Sequence, residues 1–239
     1  MKALILAGGF GTRLKGVVRD VPKPMAIVEG KPFLEYQINL LKKHSVDEIT
    51  LAVHYMGDKI KSYFNDSKAD ELGVKINYCE EETPLGTGGA VKNAEKYLTG
   101  DSFLVLNGDS YFNLHIAEFI RFHKSIGSKA TIALAKVYKD LEKYGRVTIN
   151  GNSITGFLEK SKSQSVLEGI INAGVYVFEQ EIFDYIPAGR VVSIEREVFP
   201  RLVEKRLLNG FCYEGYFIDI GRPETYDQFK QHIAGMNVR

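Results

Sequence analysis

The chain has 239 residues, 44% of them hydrophobic and 26% charged, with a formal net charge of +1. That length holds one large α/β domain or two small ones and needs no disulfide staples. A charge balance this even gives no support to nucleic-acid binding through a basic face, and no apolar run approaches the roughly 20 residues of a membrane span. The two cysteines, Cys79 and Cys212, sit in apolar segments with no Cys-x-x-Cys spacing, so both are expected as buried, reduced thiols. One lysine and then a short strand is not a signal-peptide pattern, and a cytoplasmic location is the expectation.

Residues 3 to 7 (Ala-Leu-Ile-Leu-Ala) read as a strand buried on both faces at the centre of a parallel sheet. Glycines follow at once in Leu6-Ala7-Gly8-Gly9-Phe10-Gly11-Thr12-Arg13-Leu14. Without Cβ atoms, successive backbone N–H groups can turn toward one anion, and phosphate is the expected guest. A dinucleotide fingerprint starting at Gly9 fails because Leu14 stands at its third glycine, and a P-loop fails because Gly16 is followed by Val17 and Val18. What remains is a glycine turn to which Arg13 and Lys23 add charge, the lysine held between Pro22 and Pro24.

Pro32 to Lys43 carries a helical apolar stripe, Glu48 to His54 reads as a strand, Met56 to Phe64 as a helix and Val74 to Cys79 as a third strand. This alternation predicts a parallel sheet with helices on both faces and ligands beyond the carboxyl ends of the strands. Glu80-Glu81-Glu82-Thr83-Pro84 then leads into Leu85-Gly86-Thr87-Gly88-Gly89-Ala90, a loop expected to leave backbone exposed and to open a helix over 91–98. Ser102 to Leu106 is a buried strand closed by Asn107-Gly108-Asp109-Ser110. Asp109 stands about five residues ahead of the next helix, too far to cap it, and is better placed for a metal.

After residue 128 the strands turn mostly antiparallel: Lys129 to Val137, Gly145 to Ile149, Ser153 to Glu159 and Ile170 to Phe178, with Asn150-Gly151 as a hairpin turn. They are expected to extend the sheet and build the second wall of a cleft. Asp219, inside the apolar run 216–220, is costly unless paired or metal-bound, and Pro223 to Ile233 closes the chain as a helix. No linker marks a boundary, so the expectation is one domain over 1–239 in two halves, 1–128 and 129–239.

Gly8-Gly9-x-Gly11-Thr12-Arg13-Leu14 with Pro22-Lys23-Pro24-Met25 resembles the signature of the sugar-1-phosphate nucleotidyltransferases, also called nucleotide-sugar pyrophosphorylases. Gly108-Asp109, Glu159-Lys160, Asn172-Ala173-Gly174 and Asp219-Ile220-Gly221 extend the resemblance. Phe217 and Arg222 depart from it, standing where many relatives carry tryptophan and threonine. The resemblance implies an α/β, Rossmann-like, mostly parallel sheet of glycosyltransferase-A-like type with an added antiparallel sugar-binding subdomain. No hexapeptide repeat occurs, so no C-terminal β-helix is expected.

The same resemblance implies site roles. Arg13 and Lys23 are catalytic, and Leu6, Ala7, Gly8, Gly9, Gly11, Thr12, Glu80, Glu81, Gly86, Asn107 and Gly108 bind nucleotide. Gly145, Glu159, Lys160 and Asn172 bind the sugar phosphate, and Asp109 and Asp219 hold Mg²⁺. Glu81 would accept from the N1–H and 2-amino groups of guanine. Substrates would be an NTP, GTP first, and a sugar 1-phosphate, with no nucleic-acid or membrane partner; a homo-oligomer, if formed, would be a dimer. The compact length and the Leu14-Lys15-Gly16-Val17-Val18 continuation resemble the bacterial D-glycero-D-manno-heptose 1-phosphate guanylyltransferases, which would make GDP-heptose for surface polysaccharide. Mannose 1-phosphate with GTP and glucose 1-phosphate with UTP or dTTP stay open. So does another class, a catalytically silent nucleotide-sensing subunit, although its usual losses of Arg, Lys or Asp are not seen; a nicotinamide enzyme is disfavoured by the missing third glycine.

Overall fold

The computed structural model describes residues 1–11, 14, 16–18, 20–138, 144–158 and 169–237. Strands β1 (Lys2–Leu6), β2 (Ile27–Val28) and β3 (Lys31–Pro32) precede helix α1 (Phe33–Lys43), then come β4 (Glu48–Val53), α2 (Gly57–Tyr63), α3 (Asp66–Leu72) and β5 (Lys75–Glu80). Helix α4 (Gly86–Asn93), β6 (Ser102–Asn107), β7 (Ser110–Phe112), α5 (Ile116–Ser125) and β8 (Ala130–Val137) follow. The rest comprises β9 (Arg146–Asn150), β10 (Ser153–Leu158), β11 (Gly169–Glu179), α6 (Phe199–Glu204), β12 (Leu208–Tyr213), β13 (Phe217–Asp219) and α7 (Pro223–Asn237).

One nine-stranded sheet, in the order β5-β4-β1-β6-β11-β8-β12-β10-β9, runs through the molecule. Its first four strands are parallel, with β1 between β4 and β6. Strand β11 then joins β6 antiparallel and carries the sheet on to β8. Strand β1 is an interior strand buried on both faces: by period-two alternation Ala3 and Ile5 enter the core that Leu34, Ile38 and Phe119 complete, while Leu4 enters the opposite core with Val91 and Phe199. A third cluster joins Leu14, Phe33, Ile218 and Ile220 to α7 through Phe229 and Ile233, so the apolar face of that last helix is core.

Two expectations need correction. The helix predicted over 91–98 begins earlier, at Gly86, and ends at Asn93, followed by a single 3₁₀ turn at Glu95–Tyr97. Its glycines are not breakers here because another segment packs against them, as described below. Cys79 is buried but Cys212 is exposed; burial along β12 is confined to Leu208 and Gly210 in its first half. Among the described residues no helix is long and apolar enough to cross a membrane.

Candidate active site

The carboxyl ends of β1, β4, β5 and β6 converge on a cleft of about 340 Å³, where an α/β sheet places its ligands. Beyond β1, Ala7 is fully buried and donates its N–H to Ala52 O at 2.8 Å. Gly8 is pinched: a Cβ there would lie 3.0 Å from Glu81 Oε1 and 3.2 Å from the His54 backbone N. Gly9 faces open space, and Gly11 has a φ of +58° with Lys23 Cβ 3.0 Å from where its own Cβ would be. The loop is therefore glycine-rich for two reasons, closeness to its own walls at Gly8 and Gly11 and an open backbone at Gly9. Phe10, 46% exposed, packs its ring on His54 and Tyr55 at the rim.

Lys23 opens a short 3₁₀ turn behind Pro22 and is only 8% exposed. Its Nζ donates to Asp109 Oδ2 at 2.7 Å. A lysine this buried needs that carboxylate. The turn carrying Asp109 is drawn tightly against β1: the Gly108 N–H donates to Leu6 O at 3.0 Å, and any Cβ on Gly108 would meet that oxygen at 2.5 Å. Only glycine fits, which explains the Gly-Asp pair physically. Strand β7 leaves this turn and pairs antiparallel with β13, setting Asp219 opposite Ser110. The Ile220 N–H donates to Asp109 O at 2.9 Å, and Asp219 Oδ1 accepts from the Gly221 N–H. Two acids far apart in sequence thus lie on adjoining segments, Asp109 lining the cleft and Asp219 next to it on β13.

On the other wall Glu81 lines the cleft. Its Oε2 accepts the Leu85 N–H at 3.0 Å, and its backbone carbonyl accepts from His54 Nδ1 at 2.8 Å. Burial pushes its carboxyl above the ordinary 4.5, opposed by the Leu85 hydrogen bond and then by His54. Glu80 turns away, exposed, to Lys61 at 3.2 Å. The glycines behind them serve a contact that sequence reasoning missed. Val192 O accepts from Gly88 N at 2.8 Å and Gly89 N at 3.3 Å, and a Cβ on Gly86 (φ +72°) would stand 2.6 Å from the same oxygen. Thr87 Oγ1 donates to Glu195 Oε2 at 2.7 Å and accepts the Ile194 N–H at 2.9 Å. The segment 190–195 therefore straps the 81–90 loop in place, and Gly86, Pro84, Thr87 and Ala90 still line the cleft.

Asn107 and Gly108 also line the cleft. Behind Asn107 lies Gly174 (φ +72°), where a Cβ would fall 2.8 Å from Asn107 Nδ2. Asn172 sits at a register shift between β11 and β8; its Nδ2 donates to Tyr176 OH at 3.1 Å and its Oδ1 accepts the Gly174 N–H at 2.8 Å. Gly145 is exposed just before Arg146, which pairs with Ile171 beside Asn172. The sheet thus brings Asn172 and Gly145 toward the 1–128 half, though neither is in the lining around Lys23 and Asp109. Thr12, Arg13, Glu159 and Lys160 lie outside the described residues. Phe10, Pro84, Thr87 and Ala90 were not anticipated as lining; Pro84 and Thr87 stand inside the loop motif, whereas an exposed Phe between glycines was the only signal for Phe10.

A glycine-rich loop at the end of the first strand, a buried lysine paired with the aspartate of a Gly-Asp turn and a second acid on the adjoining strand fit a nucleotidyltransferase, and the chain belongs to that family, whose Nucleotidyl transferase model matches residues 2–235. Within it, the chain is 38% identical over 229 residues to a D-glycero-alpha-D-manno-heptose 1-phosphate guanylyltransferase of Campylobacter jejuni subsp. jejuni, across 96% of this chain and 98% of that one. A second such guanylyltransferase, from Aneurinibacillus thermoaerophilus, is 36% identical, covering 98% of each chain. The fold superposes on the crystal structure of HddC from Yersinia pseudotuberculosis with a TM-score of 0.85 at 36% identity, over 97% of this chain and 99% of that one. HddC has also been solved complexed with GMP-PN.

Proposed function

We propose that this enzyme transfers the guanylyl group of GTP to D-glycero-α-D-manno-heptose 1-phosphate, giving GDP-heptose and pyrophosphate in the cytoplasm. The observation that carries the base is the Glu81 carboxylate, fixed in the cleft wall by the Leu85 N–H. Guanine offers two donors side by side to one carboxylate, whereas uracil and thymine offer one. The near full-length likeness to heptose 1-phosphate guanylyltransferases supports the sugar.

A sugar 1-phosphate is already anionic, so the reaction needs no general base; its difficulty is the approach of two polyanions. The backbone N–H groups of Gly8 to Thr12 cradle the triphosphate, Arg13 and Lys23 take charge on the α-phosphate and departing pyrophosphate, and Lys160 orients the attacking phosphate. Gly145, Glu159 and Asn172 hold the sugar, and Asn107 and Gly108 floor the site. Asp109 and Asp219 fit Mg²⁺. They are hard oxygen donors, Asp109 in the turn just before β7 and Asp219 at the end of β13 opposite Ser110, which suits an ion that takes one or two carboxylates and keeps waters and substrate phosphates as its other ligands. Held there, Mg²⁺ would supply positive charge that offsets the mutual repulsion of the two polyanions.

Pairing each NTP with each sugar 1-phosphate and following pyrophosphate release tests this. GTP with the heptose phosphate should give the highest kcat/KM; a preference for UTP or dTTP would sink the base assignment. Mannose 1-phosphate is the second reading, favoured by 38% identity to a mannose-1-phosphate guanylyltransferase catalytic subunit beta of Xenopus tropicalis, of whose length this chain covers 62%.

A further inference from the structure

Gln37 interrupts the apolar face of α1 and is 1% exposed. Its Nε2 donates to the backbone carbonyls of Asn107 at 2.8 Å and Ser110 at 2.7 Å, the two peptides that bracket Gly108 and Asp109. The reverse amide orientation would set an oxygen against both carbonyls, so the partners themselves fix the assignment. In this arrangement Gln37 Oε1 is buried with no hydrogen-bond partner among the described residues. That is a cost a methionine or leucine of similar size would not incur, so packing does not call for an amide here. The same helix also continues the Lys23 segment, because the Phe33 N–H that starts it donates to Ala26 O at 2.9 Å. Through α1, both partners of the Lys23–Asp109 ion pair are fixed to one rigid body.

We propose that Gln37 is a positioning residue that clamps the 107–110 turn, holding the Asp109 carboxylate in place beside Asp219 and Lys23 to take the divalent cation. This rests on the reading of Asp109 and Asp219 as the metal-holding pair. A methionine at 37 leaves both carbonyls without a donor while α1 still packs. A glutamate keeps the shape but turns a carboxylate toward two carbonyl oxygens. In either case the turn relaxes and the cation loses a preset ligand, as removal of an outer partner of a metal ligand does elsewhere.

The test is Mn²⁺ affinity of the full chain saturated with a nonhydrolysable GTP analogue, read by electron paramagnetic resonance, with Tm and steady-state kinetics on the same preparations. Gln37→Met should weaken Mn²⁺ binding about tenfold or more and lower kcat, with the GTP KM within about twofold of the parent. Should that variant not fold, Gln37→Glu decides in its place. Asp109→Asn is run in parallel. If Asp109→Asn binds Mn²⁺ like the parent, the metal reading itself fails and the clamp falls with it. If Asp109→Asn loses the ion but the Gln37 variant keeps parental affinity, whatever its Tm, Gln37 is only structural and the clamp alone is overturned.

Discussion

Lys23 and Glu81 face each other across the cleft with opposite electrostatic problems. Lys23 is buried and relies on Asp109 for its charge partner, so replacing it by methionine removes a cation from the phosphate path and leaves the carboxylate exposed enough to hydrate. Lys23→Met should lower kcat about 10²- to 10³-fold, the usual loss for one preorganised charge stabiliser, with circular dichroism unchanged. Glu81 is an acid whose pKa burial raises above 4.5. A folded-state pKa above the unfolded one means the folded chain binds the proton more readily, so fold stability rises as pH falls through that window while the proposed acceptor for guanine is lost. The GTP KM should therefore climb on the acid side at a pH above that of an ordinary glutamate. In Glu81→Gln that climb should vanish, with a GTP KM raised at neutral pH and discrimination against UTP reduced; a parental profile in the variant would remove Glu81 from base recognition.

At the scale of elements, the two glycine loops look alike in sequence and do different jobs. Gly9 has nothing within 4 Å of a Cβ, whereas Gly86 has Val192 O at 2.6 Å and a positive φ. Gly9→Ala should leave Tm unchanged and raise the GTP KM, and Gly86→Ala should lower stability by about 1–3 kcal/mol, measured by denaturant melts. The contrast also shows what the sequence could not convey. Glycines at 86, 88 and 89 argue locally for a loop, but contact with 190–195 from the far half of the chain makes them the first turn of α4, a tertiary effect that overrides helix propensity. Strand β12 escaped notice for a related reason: Leu-Asn-Gly-Phe-Cys-Tyr has no clean alternation, and its place is fixed by six residues paired in register with β8. The first glycine loop, the Gly-Asp turn and the parallel half of the sheet were legible because strand and turn there lie within a few consecutive residues. Gln37 was read only as part of an apolar stripe, and nothing local reveals that its amide reaches a turn 70 residues on.

Over the whole molecule, the expected division near residue 128 is crossed by the sheet itself, since β11 pairs with β6 from Ser102 to Leu106. His123, fully buried, makes a second crossing through Thr131 Oγ1 at 2.7 Å and Glu179 Oε1 at 2.9 Å. A chain joined this way should unfold as one body. Calorimetry should give a single transition with equal calorimetric and van't Hoff enthalpies; two resolved transitions would contradict the single-domain reading.

The strap of residues 190–195 over the 81–90 loop has a consequence for protein engineering. Because Val192 O is shared by two glycine N–H groups and Thr87 is shared with Glu195 and Ile194, these stretches behave as one cassette. A chimera that imports a relative's 81–90 loop alone inherits a surface cut for another strap. Libraries built to change base preference should recombine both stretches together, with clones from paired exchange outnumbering soluble clones from single exchange.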